Sequence, residues 1–183
     1  MTQRVLYVIT CATPAARDIG KLIELAQNDG WDVCTIATPS ALKFIDQPAL
    51  EYQTGRPVRS DYKQPGQDDL FPPATAMIVG GASFNTINKW AAGISDTLAL
   101  GLITEAIGLS IPLVALPFLN AAQAAHPAFD RSVTELTNAG VKILIGDNGY
   151  HPHPPGQGTK HLATYPWQRA LHAISAQPTN SRT

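Results

Sequence analysis

Apolar residues along this chain fall into short runs whose period switches between strand-like and helix-like. Residues 4–10 read RVLYVIT, a near-continuous apolar run rich in β-branched and aromatic side chains, which predicts a strand buried on both faces of a parallel sheet. A parallel strand needs a crossover, and residues 15–28 supply a helix: Ile19, Leu22, Ile23 and Ala26 recur at helical spacing, and Asp29-Gly30 stops it. Residues 32–37 predict the second strand, and residues 41–45 a short helix behind Thr38-Pro39 with Ser40 as its cap. The alternation resumes with strands at 76–79, 112–116 and 141–145 and helices at 86–92, 97–107, 121–139 and 166–176, the last capped by Thr164. This order predicts an α/β fold of three αβα layers around a doubly wound, Rossmann-like parallel sheet.

Two segments break the rhythm. Residues 46–73 carry Pro48, Gly55-Arg56-Pro57, Pro65-Gly66 and Pro72-Pro73, and predict a long irregular loop with at most a short strand near Val58. Residues 146–164, with His-Pro-His-Pro-Pro-Gly-Gln-Gly at 151–158, predict a surface flap beside an active site. The stretch 177–183 reads as a frayed tail. At 183 residues the whole of 1–183 fits one domain, since domains run to roughly 100–200 residues.

Charge narrows the choice of partner. Thirteen basic against 14 acidic side chains leave no excess to attract nucleic acid or an anionic membrane, so a small molecule or another subunit is the expected partner. No stretch approaches the roughly 20 apolar residues of a membrane helix, and residues 1–10 lack a signal peptide's pattern. Cys11 and Cys34 suit neither a disulfide framework nor a zinc site, which points to a reducing compartment and the cytoplasm. His151 and His153 have no carboxylate or cysteine beside them, so no metal is expected and both read as surface residues.

Ligands of open parallel sheets bind beyond the carboxyl ends of the strands. The turns to inspect are therefore Thr10-Cys11-Ala12-Thr13-Pro14, Thr38-Pro39-Ser40, Gly80-Gly81-Ala82-Ser83-Phe84-Asn85 and Pro117-Phe118-Leu119-Asn120. Small residues and hydroxyls ahead of helices suit a single phosphate, or serve as ordinary turns and caps. The dinucleotide pattern G-x-G-x-x-G is absent.

Residues 81–98, GASFNTINKWAAGISDTL, resemble the P-A-S-A-N-T-x-x-K-x-A-x-G-x-x-D-x-L motif of the flavin-containing cysteine decarboxylases. Residues 117–120 resemble the start of that family's P-x-M-N-x-x-M motif, residues 36–45 its T-x-S-A-x-x-F-I segment, and Gly156-Gln157-Gly158 a glycine pair near its carboxyl end. The resemblance runs over about residues 4–175. It implies FMN, with its phosphate near Thr13, Thr38 and Ser40 and its ring near Ala82, Ser83 and Asn85. It further implies Asn85 at a substrate carboxylate, Asn120 in the substrate-side motif, and a homotrimer or multiple of trimers with flavin at subunit contacts. The implied substrate is a small-molecule or peptide thiol or carboxylate, oxidised by flavin and then decarboxylated.

The departures are specific. Gln67 stands where the family has its active-site histidine, and a neutral amide is no acid or base near pH 7. Gly81 replaces the motif proline, Leu119 and Gln123 the methionines, and Cys11-Ala12 the glycine-serine turn. His126, soon after Asn120, is the candidate substitute acid or base. Trp90 reads as core or subunit contact, and Lys89 and Asp96 as a helix-end pair. Three functions follow: a flavin-dependent oxidoreductase or oxidative decarboxylase with a divergent substrate, a non-catalytic FMN-binding protein, or a flavin prenyltransferase-like enzyme.

Overall fold

The computed structural model describes residues 3–177. Its strands β1 (Val5–Thr10), β2 (Asp32–Ala37), β3 (Ala76–Ala82), β4 (Leu113–Pro117) and β5 (Lys142–Ile143) form one parallel sheet of order β2-β1-β3-β4-β5. Every residue of β1, β3 and β4 is buried, which is why these segments are apolar without alternation. Successive side chains still serve opposite faces: Leu6 and Val8 join one core, Val5, Tyr7 and Ile9 the other.

On the first face lie α1 (Ile19–Asn28), α2 (Gln47–Thr54) and α7 (Trp167–Ser175), contributing Ile19, Leu22, Leu50, Trp167 and Leu171. The opposite face is covered by α3 (Phe84–Ala91), α4 (Leu98–Gly108) and α6 (Pro127–Asn138), through Ile87, Trp90, Ile103, Phe129 and Leu136. The short α5 (Ala121–Ala124) follows β4. The expected three-layer αβα arrangement is thus present. After β2 the chain crosses back over β1 to place β3 on its far side, so the strand order reverses between β1 and β3.

Several boundaries differ from the sequence expectation, each for a local reason. The helix expected at 15–28 opens as a 3-10 turn, Pro14–Asp18, before α1. The one expected at 41–45 is a 3-10 turn, Pro39–Lys43, in which Ser40 is exposed and caps nothing. The loop expected over 46–73 contains α2: Pro48 sits in the first turn, where its missing N–H costs nothing, and Asp46 Oδ1 accepts from the Ala49 N–H at 3.1 Å. Gly55 ends that helix in the left-handed region at φ 66°. The short strand expected near Val58 survives as a bridge between Arg59 and Ile36.

Pro127 splits the helix expected at 121–139 into α5 and α6, with His126 capping the second. Thr164 does not cap α7, whose cap position is Pro166. Trp90 is buried in the core and its indole N–H donates to the Ile103 carbonyl at 3.2 Å, so it needs no cover from a neighbour. Lys89 and Asp96 pair as expected. Of the tail expected to fray, residues 178–183 lie outside the described residues. Among the described residues no helix is long and apolar enough to cross a membrane.

Candidate functional site

The turns after β1, β3 and β4 converge on a cavity of about 400 Å³, beside the point where the strand order reverses. Small-ligand sites span roughly 300–1,000 Å³. The first wall is built from Thr13 and the end of β3. Thr13 is buried, and its Oγ1 donates to the Gly81 carbonyl at 3.1 Å, tying the β1 turn to β3. Gly81 lies at φ 67°, at a register shift between Gly80 and Ala82. A Cβ there would meet Thr13 Oγ1 at 2.8 Å. Proline, whose ring fixes φ near about −65°, cannot take this backbone.

Ser83 continues this wall as the cap of α3: its Oγ accepts from the Thr86 N–H at 3.1 Å and lies 2.9 Å from Thr86 Oγ1. Asn120 caps α5 in a reciprocal box, its Oδ1 accepting from the Gln123 N–H at 2.9 Å while its own N–H donates to Gln123 Oε1 at 3.3 Å. Phe84 and Phe118 supply apolar surface to the same cavity. Among the described residues, neither lysine, arginine nor a carboxylate lines it.

The second wall comes from the loop expected to be a surface flap. His151 is exposed as expected, but His153 is buried, and it lines the cavity with Gly156, Gly158 and Thr159. The Ala121 N–H donates to the His153 carbonyl at 2.8 Å, which brings the loop against the start of α5. The His153 ring lies between Phe118 and His161, with centroids at 5.1 and 5.7 Å, and its Nδ1 is 2.6 Å from Tyr150 Oη. Burial first, and the neighbouring His161 second, push the His153 pKa down. Burial pushes the Tyr150 phenol up to about 12. Tyr165 joins this aromatic group and donates to the Leu116 carbonyl at 2.6 Å. Proline on both sides of His153 hides it from any periodic reading, and the flanking tyrosines are the only sequence signal of an ordered aromatic cluster.

Of the residues singled out from sequence, Thr13, Ser83 and Asn120 meet in the cavity, with Ala82 buried behind them. Thr38, Ser40 and Asn85 do not line it; Ser40 and Asn85 are exposed. His126 is exposed too: its Nδ1 accepts from the Ala128 N–H at 3.1 Å, and its ring meets the edge of Phe84 at 5.6 Å, behind the cavity wall. Gln67 is exposed and accepts from the Gln64 N–H at 3.0 Å. No cluster of metal-ligating side chains occurs among the described residues. A second cavity, about 430 Å³, lies against edge strand β5 near Lys142, Arg169 and His172, away from the converging turns. The converging site has the caps, hydroxyls and aromatic wall that ligand recognition requires.

Known proteins place the chain. The family model described as Flavoprotein matches residues 1–165. The chain is 26% identical over 146 residues to a coenzyme A biosynthesis bifunctional protein of Thermococcus kodakarensis, covering 74% of this chain and 36% of that one. It is 29% identical over 121 residues to a probable phosphopantothenoylcysteine decarboxylase of Arabidopsis thaliana, covering 62% and 60%. It therefore spans only about a third and three-fifths of the curated relatives it matches. Among solved structures, the FMN-dependent cysteine decarboxylase TvaF of thioviridamide biosynthesis superposes with a TM-score of 0.70 at 19% identity, over 95% of this chain and 99% of that one. With the fold, the motif over residues 81–98 and the family match in agreement, the chain belongs to the Flavoprotein family, alongside the flavin-containing cysteine decarboxylases.

Proposed function

We propose that this protein binds FMN in the cavity at the ends of β1, β3 and β4 and works as a flavin-dependent oxidoreductase or oxidative decarboxylase on a small-molecule or peptide thiol or carboxylate. The observation that carries the reading is the meeting of Thr13, Ser83 and Asn120, from three separate turns, around one cavity at the strand-order reversal. The groups present fit a flavin: hydroxyl and amide groups for hydrogen bonds, and Phe84 and Phe118 against a flat ring. The FMN-dependent solved neighbour supports the same cofactor.

When bound, FMN supplies the electron-accepting chemistry. The chain's own groups bind and orient. Thr13 Oγ1, its proton given to the Gly81 carbonyl, offers a lone pair, Ser83 offers its hydroxyl, and the Asn120 amide, its Oδ1 held by the Gln123 N–H, leaves its N–H₂ group for a ligand. Asn85, Thr38 and Ser40 lie outside the cavity of one subunit, and the assembly proposed is a homotrimer or multiple of trimers with flavin at subunit contacts. We propose that residues 1–183 act as one domain and that the protein works in the cytoplasm.

The test is to purify the protein, record its flavin absorbance, and identify the ligand released on denaturation. FMN is expected, and neither FAD nor a nicotinamide dinucleotide. A colourless protein that takes up no FMN at micromolar concentration overturns the reading. A second reading, an FMN-binding protein without catalysis, is favoured by Gln67, which is exposed and brings no imidazole. Carbon dioxide release from a cysteine-type substrate separates the two. A prenyltransferase-like reading has no support from the cavity, which no lysine or arginine lines among the described residues.

A further inference from the structure

Among the described residues, His153 is the one titratable side chain that lines the cavity, and the resemblance assigns it no role. We propose that His153 is the cavity's hydrogen-bond donor to negative charge on a bound thiolate or carboxylate, a neutral imidazole that Tyr150 orients with its Nε2–H toward the ligand. This deepens the functional reading above and rests on it.

The tautomer follows from the partners. Tyr150 Oη lies 2.6 Å from His153 Nδ1 and has no other hydrogen-bond partner among the described residues. A buried hydroxyl that donates to nothing costs about 1–3 kcal/mol, so the phenol donates to Nδ1. Its high pKa keeps it a donor throughout the physiological range. A neutral imidazole carries one proton, which therefore sits on Nε2. That nitrogen has no partner among the described residues.

The surroundings keep the ring uncharged. The side chains facing it are Tyr150 and His161 from its own loop and Phe118 from the turn after β4, with Tyr165 behind them, and none is a carboxylate. Gly158 leaves the approach to Nε2 open, since a Cβ there would come within 3.0 Å of it. A neutral N–H in a cavity lined by aromatic rings is aimed without reorganisation at an anionic sulfur or oxygen. Tyr150 is the positioning residue.

The test uses FMN-loaded protein with ¹⁵N-labelled histidine, titrated with 3-mercaptopropionate as the thiol-carboxylate probe. The expected His153 signals are those of the Nε2–H tautomer, and the Nε2 resonance shifts as the probe binds. His153→Phe should weaken the probe by about tenfold or more, the loss expected of a charge-assisted hydrogen bond. Tyr150→Phe should shift the tautomer mixture toward Nδ1–H, with a smaller loss of affinity. A second route avoids removing a buried ring: Gly158→Ala keeps His153 but crowds Nε2, and should weaken the probe with the tautomer unchanged. An Nδ1–H tautomer, an unmoved resonance, or equal probe affinity in Gly158→Ala overturns the proposal. If the wild-type protein takes up FMN but His153 is unresponsive, this inference alone fails. If it takes up no FMN, the functional reading fails, and the tautomer with the probe titration of the flavin-free protein still decides the role of His153.

Discussion

The two walls of the cavity are held together differently. On the strand side, Ser83 and Asn120 are fixed by bonds to Thr86 and Gln123, each three residues away, and Thr13 bonds across to Gly81. On the loop side, His153 stands in a cluster with Tyr150, His161 and Tyr165 of the same stretch of chain, closed by Phe118 from the turn after β4. Short-range caps are set as soon as their helix forms, whereas the aromatic wall exists only once the tertiary structure does. The strand side is therefore held by two local caps and one bond between turns, and the loop side by packing of aromatic rings.

Mutations should separate the two walls by size of effect. Phe118→Ala removes the ring that meets Tyr150, His153 and Tyr165, and should cost about 3–5 kcal/mol, the usual loss for a buried phenylalanine. Urea denaturation measures it; a cost below about 1 kcal/mol would mean that the loop wall is not held by packing.

Gly81→Ala tests the strand side at its most constrained point. A left-handed non-glycine residue costs roughly 1–2 kcal/mol, and the new methyl also forces Thr13 Oγ1 away from the Gly81 carbonyl. The expected result is a loss of about 2 kcal/mol together with weaker ligand binding.

Acid should act on the loop wall before the strand wall. The folded-state pKa of His153 is lowered by burial and by His161, while the unfolded chain keeps an ordinary value of about 6.5. Its contribution is thus fully present above about pH 6.5 and is lost as pH falls from there through the lowered folded value, by up to about 1.4 kcal/mol per pH unit. Comparing stability against pH in the wild type and in His153→Phe isolates this group; identical slopes would contradict it. Ser83→Ala should have the smallest effect, about 1 kcal/mol from the lost cap of α3, with no change in that pH slope.

The same contrast explains what the sequence revealed. The strands after residue 4 were legible because burial on both faces leaves an uninterrupted apolar run, and the turn residues Thr13, Ser83 and Asn120 because they stand directly after strands. α2 was hidden by Pro48, which breaks a helix in its interior but not in its first turn. β5 is only two residues long and the helix before it is cut by Pro127, so both were overextended. His153 was illegible because the rings around it, Phe118, Tyr150 and His161, stand in no periodic pattern with it.

The aromatic column also sets an order of events during synthesis. Thr13, Ser83 and Asn120 emerge before the loop wall, but Tyr150 and His153 acquire their full surroundings only when Tyr165 and Trp167, 4.6 Å apart at the start of α7, have left the ribosome. The aromatic wall is therefore the last part of the cavity to become complete as the chain is made.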